Sequence, residues 1–388
     1  MAGRQAISGV LERAVEAGAV PGVVAVASDG RDILYEGAFG RRDLAGDQAM
    51  TADTVVWIAS MTKAVTGAAA MRLVEQGRIG LDQPAAEVVP RLADARVLEG
   101  FDASGQPRLR PPKRPVTLRH LLAHTSGFSY DIWSEDVGRY MEATGTPGIT
   151  TCRDKALTTP LLHEPGERWT YGIGIDWAGK MVEAVAGKRL GEHLREAIFE
   201  PLGMADTGFK PGPSQKARLA RVHARGPDGE LTPTDFAMPA EPEFEMGGGG
   251  LYSTARDYLA FANMVLNGGR HGGTQVLKPE TVEEMKRDQI AGLPMTPFRT
   301  AIPGASNDVD LFPGMALGWG LTFLVNHERT PQGRSPGSLA WAGLANTYYW
   351  IDPAKKVAGV FLTQILPFFD AKAVALFGDF ETEVYRSL

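Results

Sequence analysis

Ser60-Met61-Thr62-Lys63 opens a run of helical character that continues to Gln76 and is stopped by Gly77 in the position of a C′ glycine. It is the one S-x-x-K in the chain. A serine at the head of a helix lies among free backbone N–H groups and at the positive end of the helix dipole, and both favour developing negative charge. Lys63, three residues on, projects from the same face within reach of the serine hydroxyl. The same four residues also describe a serine N-cap followed by a solvated lysine, and local sequence does not separate the two readings. Chemistry adds a demand. A free lysine titrates near 10.4, so as a base Lys63 must be buried or set beside other positive charge. Otherwise it stays charged and lowers the pKa of a neighbouring phenol, which brings tyrosines into the search.

Working outward, Ile7, Val10, Leu11 and Val15 recur at helical spacing and predict a helix over about 5–17. Two β-rich runs, 22–27 and 32–35, follow, and the Asp29-Gly30 pair between them is a hairpin signal. The middle of the chain reads mainly as helices, clearest at 118–124, 177–185 and 191–198. A glycine run, Gly247 to Gly250, precedes a further helix over 257–266. It matches no phosphate-binding pattern and is read as tight backbone packing. The last hundred residues carry strand-like runs at 320–325, 338–344, 347–351 and 357–363, then a closing helix over about 370–386. Strands at both ends with helices between predict a discontinuous α/β domain, residues 1–115 and 245–388, carrying a mainly helical domain, 116–244.

Composition narrows the function classes. The chain has 388 residues, 44% hydrophobic and 22% charged, with a net charge of −6, which is ordinary globular composition. No basic run is interleaved with aromatics, so no nucleic-acid partner is expected, and the short basic stretch 108–114 reads as a solvated loop. Cys152 is the single cysteine, so no intrachain disulfide can form, and its flanks suggest a polar loop rather than a nucleophile. No apolar signal core or membrane-length run occurs, so no membrane partner is expected and the cytoplasm is the expected compartment. The seven histidines show no metal-binding spacing, and no metal or cofactor is expected. Oligomeric state is not legible.

One other serine sits in a hydrolase-like motif. Gly333-Arg334-Ser335-Pro336-Gly337 has the G-x-S-x-G form of a nucleophile elbow. An elbow uses the N–H of the residue after the serine, and Pro336 has none. The following residues look like a strand rather than a helix, and no histidine comes after His327. Ser335 is therefore set aside.

Longer segments carry a resemblance. Residues 97–102, 117–127, Tyr171 with 176–180, and 336–339 make the chain similar to the serine β-lactamase-like hydrolases of the class C type. That superfamily includes the family VIII carboxylesterases, and the likeness is strongest to the fungal statin-pathway acyltransferases and their esterase relatives. The resemblance implies a β-lactamase/transpeptidase-like α/β (α+β) fold, with a mostly antiparallel sheet flanked by helices. It implies that Ser60 forms an acyl-enzyme, with Lys63 and Tyr171 completing the triad. Trp341-Ala342-Gly343 matches the esterase form of the third motif, which implies an oxyanion hole at the backbone N–H groups of Ser60 and Leu344. Trp341, Gly343 and Tyr130 would line the substrate site, and His124 would hold a structural place in a turn. Where the lactamases have an asparagine two residues after the tyrosine, this chain has Ile173. That departure leans away from β-lactams and toward esters.

The expected activity is hydrolysis of short-acyl carboxylic esters, a small-molecule substrate class, by two-step acyl transfer. Transfer of the acyl group to an alcohol shares every catalytic residue and stays open. Further alternatives are a β-lactamase or peptidase and a non-catalytic binding module that keeps the fold. Whether Lys63 or Tyr171 takes the first proton is also open, because the two would titrate as a pair.

Overall fold

Gly22–Ser28 is a strand in which every residue is buried. Alternation sends Val23, Ala25 and Ala27 into one core and Val24 and Val26 into another. A strand apolar on both faces belongs inside a sheet, and the computed structural model, which describes residues 2–388, places it there. It is sixth in a seven-stranded sheet ordered Leu317–Trp319, Leu324–Asn326, Leu339–Gly343, Thr347–Asp352, Val357–Leu362, Gly22–Ser28 and Ile33–Gly40. Every neighbouring pair is antiparallel. The first strands of the chain thus pair with the last long one, Val26 opposite Val360.

Helices cover both faces. Ala2–Glu16 and Ala371–Arg386 pack together on one side, where Ile7, Leu11, Trp350, Phe361 and Phe380 form the core. Gly359 lies opposite Trp350, and a Cβ there would come within 2.1 Å of the indole, so the strand needs a glycine for that ring to lie across it. On the other face, Ala255–Leu266 packs on the sheet. Thr62–Glu75 lies behind the site and packs on Gly174–Ala186. Ala64, Val65, Ala68, Ala69 and Met71 are all buried, as a helix apolar around most of its circumference must be.

The sequence expectation differs from the structure in places. The run expected as one strand over 320–325 is instead the turn of a hairpin, residues 320–323, and the start of its second strand, Leu324–Asn326, with Leu317–Trp319 as the first. Gly320 donates its N–H to the Phe323 carbonyl, and Thr322 takes a positive φ of 79°. A Cβ on Gly320 would meet the Met285 carbonyl at 2.2 Å, so the close approach of that backbone selects the turn. Residues 116–244 also contribute two short strands, His223–Arg225 and Leu231–Pro233, which join Ile365–Leu366 in a separate sheet. No described helix is long and apolar enough to cross a membrane.

The G-x-S-x-G stretch has a structural explanation. Arg334 makes a bidentate pair with Glu381 at 2.6 and 2.7 Å, and both side chains are buried. The Ser335 N–H donates to Asp352 Oδ2 at 2.9 Å. This loop fastens the sheet to the closing helix. Glu381→Ala strands the guanidinium without its carboxylate, and the loss should reach about 3–5 kcal/mol, read as a lowered midpoint in urea unfolding.

Candidate active site

Ser60 is placed by the residues on either side of it. Val56–Trp57 pairs with Tyr252–Ser253, and the Ile58 N–H donates to the Leu251 carbonyl at 3.0 Å. The Thr62 hydroxyl accepts from Leu251 N–H at 3.1 Å. Between these ties Ala59 takes a φ of 44°, and Ala59–Met61 forms a 3₁₀ turn that leads into the helix from Thr62. Strained backbone of this kind costs of order 1–3 kcal/mol and persists where its surroundings fix it. The expected helix over 60–76 therefore begins two residues late, with Met61 as its cap and no side-chain capping bond. That outcome removes the N-cap reading of Ser60.

Lys63 is fully buried, which removes the solvated reading of the lysine. Its ammonium donates to Ser60 Oγ at 3.0 Å and to the Gly248 carbonyl at 2.5 Å. Burial pulls its pKa well below the usual lysine range, and the charge of Asp176 opposes that shift. Asp176, on the first turn of Gly174–Ala186, is itself fully buried. Burial pushes its carboxyl upward, against the pull of Lys63 and a hydrogen bond from Gly248 N–H.

Tyr171 reaches the same point from the helical side. Its strand of loop is pinned to residues 124–129. Thr170 N–H donates to the His124 carbonyl at 2.8 Å, and Gly172 N–H to His124 Nδ1 at 3.4 Å. The Trp341 indole N–H donates to the Tyr171 hydroxyl at 2.9 Å, which joins the expected esterase motif to the expected triad. Burial raises the Tyr171 phenol well above its ordinary range, and bonds to Ser60 and Trp341 offset part of the rise. Lys63 Nζ lies 4.7 Å from the centre of the Tyr171 ring. The His124 ring sits 4.6 Å from the Tyr171 ring, and burial plus the Lys63 charge keeps that imidazole neutral. It sits in a turn at φ 56° and its Nδ1 accepts from Gly172 N–H.

Ser60 and Tyr171 open on a narrow cleft that is also lined by Trp133, Phe298, Trp341, Ala342, Gly343, Leu344 and Phe368. The structure thus brings Ser60, Trp341, Gly343 and Leu344 to one cleft. A Cβ on Gly343 would come within 2.3 Å of the Ile58 carbonyl, so the glycine lets the strand approach the Ser60 turn. Tyr130 does not line the cleft. It lies beneath, with its ring 5.5 Å from that of Tyr171 and 5.3 Å from Lys63 Nζ. Its hydroxyl is buried without a partner among the described residues.

Cys152 is not in a solvated loop: it is buried, and burial pushes its thiol up to about 12. Ser335 lines no part of the cleft. No group of three or more metal-ligating side chains occurs among the described residues. Asp176, Phe298, Trp133 and Phe368 were given no role by the sequence. Asp176 alone left a trace, as a carboxylate flanked by Ile175, Trp177 and Ala178 on a buried helix.

A large antiparallel sheet flanked by helices, with a Ser-x-x-Lys turn packed on its middle strands and a buried tyrosine facing that turn, defines the serine β-lactamase/transpeptidase class of enzyme fold. The chain belongs to the β-lactamase family, whose sequence pattern matches residues 7–379. It is 31% identical to a lovastatin esterase of Penicillium rubens, over 97% of this chain and 96% of that protein. It is equally 31% identical to the monacolin J acid methylbutanoyltransferase of Aspergillus terreus, over 96% and 93%. Among solved structures, a mutant simvastatin synthase from Aspergillus terreus superposes with a TM-score of 0.85 at 29% identity, covering 98% of this chain and 94% of that one. EstCE1, described as a hydrolase with promiscuous acyltransferase activity, has the same fold, with a TM-score of 0.77 at 23% identity over 98% of both chains.

Trp341→Phe keeps an aromatic side chain, though a smaller one, and removes the indole N–H that donates to Tyr171. A hydrogen bond to a group that gains negative charge is worth about 1.5–3 kcal/mol, so turnover of p-nitrophenyl butyrate should fall by about tenfold or more. Ser335→Ala, assayed beside it, should turn over like the parent.

Proposed function

We propose that the protein is a serine carboxylesterase of the family VIII type, cleaving short-acyl carboxylic esters through an acyl-enzyme on Ser60. The observation that carries the reading is the contact of a fully buried Lys63 with Ser60 Oγ at 3.0 Å, beside a Tyr171 hydroxyl held by Trp341. Burial favours the uncharged forms of both partners: a lysine pulled down and a phenol pushed up. That makes the Lys63 amine the group placed to take the Ser60 proton, and the Tyr171 phenol the group placed to give one to the leaving alkoxide.

In the first step Ser60 Oγ bonds to the ester carbonyl carbon while its proton passes to the Lys63 amine. The oxyanion forms between the N–H groups of Ser60 and Leu344, where a single preorganised donor contributes about 2.7–4 kcal/mol. The carbon–alkoxide bond then breaks, Tyr171 protonates the departing alkoxide, and the proton held by Lys63 restores the Tyr171 phenol. Water attacks the acyl-enzyme, gives its proton to the same pair, and releases the acid and Ser60. The narrow cleft, walled by Trp133, Phe298, Leu344 and Phe368, supports a small acyl group. Ile173, buried where the lactamases carry asparagine, removes an amide-binding side chain and supports esters over β-lactams.

The relatives favour a second reading for the final step. They include both an esterase and a methylbutanoyltransferase at the same identity, so an alcohol can replace water as the acyl acceptor. Two measurements test these readings. Mass spectrometry after treatment with an alkyl phosphonate should find one adduct, on Ser60, and Ser60→Ala should lose about 10³-fold or more of ester turnover. Retained turnover in that variant overturns the assignment. Adding a bulky alcohol to the assay should divert part of the acyl group into a new ester, whereas free acid alone excludes the transferase reading.

A further inference from the structure

Resting on the role proposed for Ser60 and Lys63, we propose that Asp176 is a positioning residue for Lys63: it fixes the Gly248 carbonyl that holds the amine and supplies the buried negative charge the amine faces. Asp176 Oδ1 accepts from Gly248 N–H at 2.8 Å, and the carbonyl of that same residue accepts from Lys63 Nζ at 2.5 Å. The backbone of Gly248 is thus held from Gly174–Ala186 and in turn holds the lysine of Thr62–Glu75. Only glycine permits this. A Cβ at 248 would come within 2.6 Å of Asp176 Oδ2, and one at 247 within 3.2 Å of the Ile175 carbonyl.

The carboxylate is more than that one bond requires. Asp176 Oδ2 is buried with no hydrogen-bond partner among the described residues. A neutral asparagine would accept the same N–H without bringing a charge out of water, and burying an unpaired charge is costly. The retained charge therefore calls for an electrostatic reason. The titratable groups packed around Lys63 are Tyr130, His124, Tyr171 and Asp176. The first three are held neutral, the tyrosines raised and the histidine lowered. Asp131, the next carboxyl along, bears on Tyr130. Asp176 alone among them offers the amine a negative charge. Its effect opposes desolvation, so the Lys63 amine stays able to hold the proton that it takes from Ser60. Without that charge the amine becomes a weaker base, whichever of Lys63 and Tyr171 carries the proton, because the two titrate as a pair.

Asp176→Asn separates charge from hydrogen bonding, since it keeps an acceptor for Gly248. With p-nitrophenyl acetate, the acidic limb of the kcat/KM profile should move down by about one pH unit, with KM held near the parent value. Asp176→Ser is a second neutral variant with the same expected shift, and Asp176→Glu, which restores charge, should return the limb toward the parent. A limb that does not move in whichever neutral variant folds overturns the proposal. Failure of both neutral variants to fold, with Asp176→Glu folded, assigns Asp176 to the fold alone and overturns it too. Ser60→Ala and phosphonate labelling of Ser60 in the parent are run alongside. If these fail, the reading of the site falls independently of Asp176.

Discussion

The burial of one lysine side chain organises this site. Lys63 has no access to water, and a charge so placed must find partners or lose its proton. It has two close acceptors, the Ser60 hydroxyl and the Gly248 carbonyl, and they come from segments far apart in sequence. Each partner is itself secured. The Ser60 turn is tied to residues 251–253 through the Val56–Trp57 strand, and Gly248 is fixed by Asp176. The helices Thr62–Glu75 and Gly174–Ala186 must pack closely for the arrangement to exist, and the apolar faces of both supply that packing.

The aromatic wall serves the same end by keeping water out. Trp341, Trp169, Phe298 and Trp133 all lie with ring centres between 5.0 and 6.4 Å of Tyr171. In that setting burial favours the neutral amine of Lys63 and the neutral phenol of Tyr171. The same wall leaves little room around Ser60, so the burial of Lys63 and the narrowness of the cleft have one cause.

The sequence carried the parts of the site that depend on short-range pattern. Ser60 and Lys63 share one turn, and Trp341 and Gly343 share one strand, so a local motif places each pair. The β-rich run over 22–27 marked a strand, though not that both its faces are buried, and the glycine run marked close backbone contact. Features set by distant contacts were hidden. Asp176 reads as an ordinary first-turn acid until Gly248 is seen beside it. Phe298 sits in a long irregular stretch with no periodicity to announce that it covers Tyr171. The polar neighbours of Cys152 suggested solvent, yet a φ of 51° accompanies its burial in the core. The 320–325 run looked continuous because hydropathy does not register the Met285 carbonyl pressed against Gly320.

The closure of the sheet has a consequence for how the chain is made. Ser28 pairs with Ala358, which is synthesised about 330 residues later. At roughly 5–20 residues per second, the amino-terminal hairpin stands for tens of seconds with one apolar edge open. An open edge of this kind is a template for intermolecular pairing, so the newborn protein is most vulnerable to aggregation while still attached to the ribosome. Contacts this distant in sequence also slow the final search. Release of the carboxy-terminal strands, and not the early appearance of the Ser60 helix, sets the moment at which the enzyme can begin to exist.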